Sequence, residues 1–493
     1  MQEMIPIKFA GSGMLFAGLS KRSEWRNWAT RALCLLLMVL MCHVSSPAYS
    51  VLTHEEVVDL LWKDEIRPLL IKRYPGMTDD QIKEAHAYAY GGAVIQDLGY
   101  YPFGSKEFSD LAHYVRSGDF VRELLRQSND VNEYAFALGS LAHYSSDITG
   151  HPAVNQSVAI EFPKLRAKFG KFVLYNQDKT AHLKTEFGFD MAQVAKNRYA
   201  SQQYHDFIGF KVSKPLLERT FPVVYGMQMK DVISHEDLAI GSYRWAVSRL
   251  IPQMTQVALQ THKKELLKEN PDFAKNKFLY RLSRTAYEKE WGKDYTRPGF
   301  GTRFLSFLFK FMPKIGPFKG LGFMNPTPQT EDLYFKSINA TVDQYRSFLH
   351  EVKSDSLRLT NCDLDSGRVT HAGEYDLADA TYGKLLHQLS DHKFDGLTPQ
   401  LRDNILLFYS DPTAVNRAIT ANNKNKPTDK QKQDEEKLQA ALEQLKTATL
   451  TAPTSDTPRQ DDASGPSGSQ VCSAVPVPAP ATPPATAAAA ASK

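Results

Sequence analysis

The chain has 493 residues, a formal net charge of +4, 42% hydrophobic and 23% charged residues, with a mean hydropathy of −0.39. This balance describes a soluble globular protein with one or two sizeable cores, and it excludes a polytopic membrane protein, because only one apolar run is long enough to consider. Four cysteines exclude a disulfide scaffold, and the near-neutral charge carries no electrostatic footprint for a specific nucleic-acid partner.

Residues 1–48 read as a signal peptide. Lys21, Arg22, Arg26 and Arg31 form a basic region, Ala32 to Val44 is mostly apolar, and Ser46-Pro47-Ala48 supplies small residues for cleavage between Ala48 and Tyr49. The apolar run falls short of the about 20 residues a membrane-spanning helix needs. A secreted or periplasmic protein is therefore expected. Cleavage would remove five basic and two acidic residues, leaving a charge of about +1. Cys34 and Cys42 would go with the leader, leaving Cys362 and Cys472. Cys472 sits in a segment of low folding propensity, so no structural disulfide is expected.

Residues 49–290 read as one all-α domain. Val57, Val58, Leu60 and Leu61 open an amphipathic helix, and Val121, Leu124 and Leu125 belong to another. Glu84 to Asp97 and Asn132 to Asp147 are dense in Ala and Gly, the composition of helices packed on several sides. Residues 291–330 form an apolar, basic connecting segment, with Phe300, Phe304, Phe307, Phe309, Phe311, Phe318 and Phe323 interleaved with Arg297, Arg303, Lys310, Lys314 and Lys319. Two readings fit it: a stretch lying on an anionic membrane surface, or an interdomain segment whose phenylalanines fill a core while its lysines snorkel. Residues 331–425 form an accessory region in which Asn361 to Leu386 is rich in turn residues and reads as a small irregular or mixed unit. Residues 426–450 read as a charged helix with Leu438, Leu442 and Leu445 on one stripe. Residues 451–493, rich in Pro, Ala, Ser and Thr, carry too little large apolar surface to order and read as a disordered tail.

Six of the 14 histidines lie between Tyr49 and Glu186: His54, His86, His113, His143, His151 and His182. His143 and Asp147 are four apart, as are His182 and Glu186, so on helices each pair shares a face. Gly150-His151-Pro152 is expected to end the helix and present His151 from the turn beyond. Histidine and carboxylate without thiolate suit zinc, and also manganese or iron. His86 precedes Asp97 by 11 residues on what reads as one continuous helix, about 16 Å away along the axis. The two cannot share an ion, and His86 reads as structural. His205 and His235 have no matching partner pattern. Tyr100 and Tyr101 read as packing at a helix end or as cleft lining.

The ordered set resembles the zinc-dependent phospholipase C family, related in fold to the P1/S1 nucleases. The resemblance covers roughly residues 49–260. It implies a multi-helix fold holding three Zn2+ ions. By resemblance, Asp97, His113, His143 and Asp147 hold one ion; His151, His182 and Glu186 hold a second; Tyr49, through its free amino terminus, holds a third with His54 and Asp147. Asp97 would also orient or deprotonate the attacking water. The implied activity is a phosphodiesterase that converts phospholipid to diacylglycerol and a phosphorylated head group, with phospholipid or a membrane surface as partner. The chain departs from the family in starting at Tyr49 rather than Trp and in the short spacing from Asp147 to His151. A P1-like single-strand nuclease and a non-catalytic, metal-stabilised envelope or lipid-binding protein are the alternatives.

Overall fold

A computed structural model describes residues 51–195, 199, 205–206, 208–252, 324–410, 429–450 and 472. The expected signal peptide, Tyr49 and the phenylalanine-rich stretch 300–323 lie outside the described residues. Among those described, the chain is all-α apart from one two-residue antiparallel ladder, as the periodicity predicts.

The first described helix, α1 (Val51–Leu61), runs on through a π turn (Trp62–Ile66) and a short helical stretch (Arg67–Arg73) before α2 (Asp79–Ala93), which Thr78 and Gln81 start with a reciprocal capping box. The expected continuous helix from Glu84 to Asp97 breaks at Ala93, and Ile95–Tyr100 forms a separate 3-10 turn. Asp97 is thereby turned inward, off the axis of α2. Next come α3 (Lys106–Tyr114), α4 (Ser117–Gln127) and the long α5 (Val131–Glu161), whose first turn is capped by Asp130 accepting from the amides of Asn132 and Glu133.

The Ala and Gly faces of α2 and α5 meet at very short range. A Cβ at Gly92 would lie 1.9 Å from the Phe136 carbonyl oxygen, and one at Gly139 would lie 2.0 Å from that of Ala89. Only residues without a side chain allow this approach.

Helix α5 overturns one expectation. It continues without interruption through Gly150 and Pro152 to Glu161, so His151 stands on the helix and not beyond it. Pro152 removes the amide that would serve the Ile148 carbonyl. That carbonyl instead faces the turn at Gly367, where φ is +69° and an added Cβ would come within 2.6 Å of the oxygen. The cost of proline, about 3 kcal/mol in a helix interior, is offset by deep burial along this segment.

Helices α6 (Lys179–Ala195) and α9 (Pro328–Lys353) pack on α5, the latter running along it with Tyr334, Ile338, Val342, Tyr345 and Leu349 buried, while α7 (Lys214–Tyr225) packs on α4 and α8 (Glu236–Trp245) on the 3-10 turn. The ladder pairs β1 (Cys362–Asp363) with β2 (Arg368–Val369). Helices α10 (Asp376–Asp391), α11 (Pro399–Phe408) and α12 (Asp429–Thr447) follow, with Leu438, Leu442 and Leu445 of α12 buried. Cys362 and Cys472 form a disulfide, contrary to expectation. Local composition describes only how poorly the tail folds alone; it says nothing of docking, and Cys472 packs against the main core. No described helix is long and apolar enough to cross a membrane.

Glu161, at the end of α5, joins three helices by accepting from Thr185 (3.0 Å) and Thr330 (2.7 Å) hydroxyls. Burial pushes its carboxyl from 4.5 up to about 7, the two hydroxyl donors offsetting part of the shift. A carboxyl raised in the folded state contributes fully to stability below its unfolded value, and that contribution is lost as pH rises through the folded value. Glu161→Gln is therefore expected to be more stable than wild type by about 3 kcal/mol at pH 8 and by only about 1 kcal/mol at pH 5. Denaturant melts at the two pH values check this; a constant gap would show that Glu161 is not desolvated.

Candidate metal centre

Five elements bring the predicted residues together. His54 comes from α1, Asp97 from the 3-10 turn, and His113 from the last turn of α3. His143, Asp147 and His151 all come from α5, and His182 with Glu186 from α6. All eight are buried. Helix α6 is started by Asp178, which accepts from the Ala181 amide at 2.9 Å. One turn beyond Glu186, Asp190 of α6 accepts from the Leu52 amide (3.2 Å) and the Thr53 hydroxyl (2.5 Å) at the start of α1. This contact fixes the end of α1 that carries His54.

Three groups of ligand atoms result, each gathered within 4.8 Å: His54, His143 and Asp147; Asp97, His113 and His143; and His151, His182 and Glu186. Asp147 lies between the first two groups. Its carboxylate is 3.0 Å from His143 Nε2, 3.4 Å from His113 Nε2 and 3.6 Å from His54 Nε2. Asp97 Oδ1 is 3.4 Å from His113 Nε2 and 3.9 Å from His143 Nε2. The rings of His54 and His143 stack with centroids 4.4 Å apart. The structure thus gathers every proposed ligand that it describes. Tyr49, the remaining one, falls outside the described residues.

The donor set fits a metal. His113 Nδ1 stands 2.7 Å from the Ser109 carbonyl oxygen and His143 Nδ1 2.9 Å from that of Ala93. A carbonyl only accepts, so Nδ1 carries a proton in both rings, and each ring in its neutral form presents the Nε2 lone pair to the site. The Ala93 contact follows from the close packing of α2 on α5. Buried without an aligned hydrogen-bond partner are Nε2 of His113 and His143, both ring nitrogens of His182, and both oxygens of Asp97, Asp147 and Glu186. Buried polar atoms are rarely left so. A cation at each group would satisfy them.

The electrostatics agree. Burial pushes Glu186 well up, reinforced by the charges of Asp147 and Asp97, while burial and then His151 lower His182 to about 3. Both shifts remove charge from a pair only 2.6 Å apart, as desolvation without a counter-ion does. His54 is held well below its ordinary value, first by burial and then by His143. Burial raises Asp97. Burial would raise Asp147 too, but His143 and His113 outweigh it and hold that carboxylate well down. A divalent ion supplies the missing positive charge and holds the imidazoles neutral and the carboxylates ionised.

The histidines set aside have other partners. His86 is buried beside Asp59, with Nε2 2.9 Å from Oδ1, and stacks on Trp62 at 3.7 Å. His205 pairs with Glu55 at 3.0 Å, and this carboxylate raises it to about 9 although burial opposes the shift. His235 is exposed at the start of α8. Tyr100 and Tyr101 are both buried, with Tyr100 6.0 Å from the His113 ring and Tyr101 edge-on to Tyr243. One residue at the site has no counterpart in the expected set. Asp365, in the turn between β1 and β2, stands with Oδ1 3.1 Å from His151 Nδ1. Its only sequence signal is a pair of carboxylates in a turn, Asp363-Leu364-Asp365-Ser366-Gly367, far along the chain from every expected ligand.

Residues 53–235 match the model of a known family, zinc dependent phospholipase C. Comparison of the chain with curated proteins gave no match, and neither did comparison with solved structures.

Proposed function

We propose that this chain, whose residues 53–235 belong to the zinc dependent phospholipase C family, is an exported hydrolase that cleaves phospholipid to diacylglycerol and a phosphorylated head group, using three zinc ions. The observation that carries this reading is the set of three adjoining histidine and carboxylate groups, in which the oxygens of Asp97, Asp147 and Glu186 are buried without an aligned hydrogen bond. His113, His143, Asp97 and Asp147 would hold one ion. His151, His182 and Glu186 would hold a second, and His54 and Asp147, with the amino terminus of a chain beginning at Tyr49, a third. When bound, zinc acidifies water and offsets the charge that grows on phosphate oxygens during attack.

The chain's own residues supply the rest. His113 and His143 are locked in one tautomer by the Ser109 and Ala93 carbonyls, so their lone pairs need no reorganisation. Asp97, raised by burial, is suited to accept a proton from attacking water and to align that water on phosphorus. The absence of a basic excess in the sequence supports a lipid rather than a strand-tracking substrate.

The test is to measure metal content and the hydrolysis of phosphatidylcholine, phosphatidylethanolamine and single-stranded DNA by protein beginning at Tyr49. Release of diacylglycerol, lost on chelation and restored by zinc, is expected. DNA cleavage without lipid hydrolysis would replace the substrate with that of a P1-like nuclease. Metal binding without either activity would leave a metal-stabilised binding protein.

A further inference from the structure

We propose that Asp365 is a positioning residue that fixes the His151 imidazole for the ion held by His151, His182 and Glu186. The inference rests on the zinc reading above and extends it outside the matched region, since Asp365 lies well beyond residue 235.

Asp365 is 2% exposed. Its Oδ1 faces His151 Nδ1 at 3.1 Å, while Oδ2 accepts from the hydroxyls of Tyr114 (2.7 Å) and Tyr375 (2.5 Å). Both carboxylate oxygens are thus engaged away from the group of ligand atoms, and Asp365 is not itself a member of that group. The two nitrogens of an imidazole point in diverging directions. Neither ring nitrogen of His151 has an aligned hydrogen bond in this structure; with an ion bound, a carboxylate this close to Nδ1 would hold the proton there and leave the Nε2 lone pair for the ion. The negative charge also makes Nε2 a better donor to a cation.

The turn is held to the same frame as the ring it orients. The Asp365 amide donates to Asp363 Oδ1 at 3.0 Å, and the Asp365 carbonyl accepts from Asn155 on α5 at 3.0 Å, one turn beyond His151. The Leu364 amide donates to the carbonyl of His113 at 3.1 Å. Gly367 lies close against the Ile148 carbonyl of α5, where an added Cβ would come within 2.6 Å of the oxygen. A second layer of the site is therefore built from the accessory region, and it presses on the stretch of α5 that carries Asp147 and His151.

The experiment uses the full chain loaded with zinc and dialysed against chelator buffers of fixed free zinc, with metal content read per chain. Asp365→Asn keeps the shape but removes the charge. It is expected to weaken one ion by about 10- to 100-fold, leaving the other ions and the melting temperature of the metal-free protein unchanged. A loss shared by all ions, or a lowered metal-free melting temperature accounting for the whole effect, would make Asp365 merely structural and overturn the proposal. Equal zinc affinity in variant and wild type would also overturn it while leaving the proposed function standing. Wild type that binds no zinc would instead sink the proposed function and this inference with it. If Asp365→Asn does not fold, Tyr375→Phe decides. Loss of one donor to Oδ2 should weaken the same single ion by a few-fold, and unchanged affinity would refute the positioning role.

Discussion

Asp147→Asn is expected to abolish hydrolysis, lowering kcat/KM by at least about 1000-fold, and to remove more than one ion per chain. Asp147 is the only proposed ligand whose carboxylate is within 3.6 Å of His54, His113 and His143 together. Replacing it leaves three converging imidazoles with one fewer negative charge to balance a divalent ion. The amide also brings hydrogens where only acceptors are wanted. The contrasting variant is His86→Ala. This residue is equally buried, but its contacts include Asp59, Trp62 and Tyr90 and none of the proposed ligands is among them. His86→Ala should lose stability yet retain turnover per folded molecule. Metal analysis and initial rates on both variants provide the check. Full activity in Asp147→Asn would remove Asp147 from the centre, and loss of zinc in His86→Ala would show that the ligand set has been drawn wrongly.

Chelation is expected to lower the melting temperature by about 10 °C or more at neutral pH. A ligand present at a thousand times its dissociation constant stabilises the fold by about 4 kcal/mol, and each kcal/mol moves the midpoint of a domain of this size by about 2–4 °C. The effect should be large here because metal removal leaves Asp97, Asp147 and Glu186 buried, with oxygens that no hydrogen bond satisfies. Protons compete with the ion for the same lone pairs, so the stabilisation by zinc should shrink as pH falls from 7.5 to 5.5. Thermal melts with and without chelator at both pH values decide the matter. A midpoint that does not respond to chelator at pH 7.5 would mean that the centre holds no stabilising ion.

Much of the site was legible in the chain because its information is local. The spacing of four between His143 and Asp147, and between His182 and Glu186, needs only helical geometry to converge. The small residues of Glu84 to Asp97 and Asn132 to Asp147 announced helices in close contact, and Gly92 and Gly139 are where that contact occurs. The order of histidines and carboxylates pointed to the family matched by residues 53–235.

What was misread depended on neighbours distant in sequence. Gly150-His151-Pro152 carries a strong local stop signal, yet α5 runs through it, because the segment is deeply buried against its neighbours. Cys472 lies in a segment with little folding propensity of its own, yet it bonds to Cys362 across 110 residues. Asp365 follows no helical spacing and sits in a turn, so nothing short of the packed structure could place it against His151. The sequence by itself determined the all-α class and the helical histidine–carboxylate pairs of the candidate centre, since periodicity and residue type act over a few positions. The tertiary structure alone decided where α5 ends and which distant carboxylate meets His151, because burial and docking between remote segments outweigh local propensity once the core has formed.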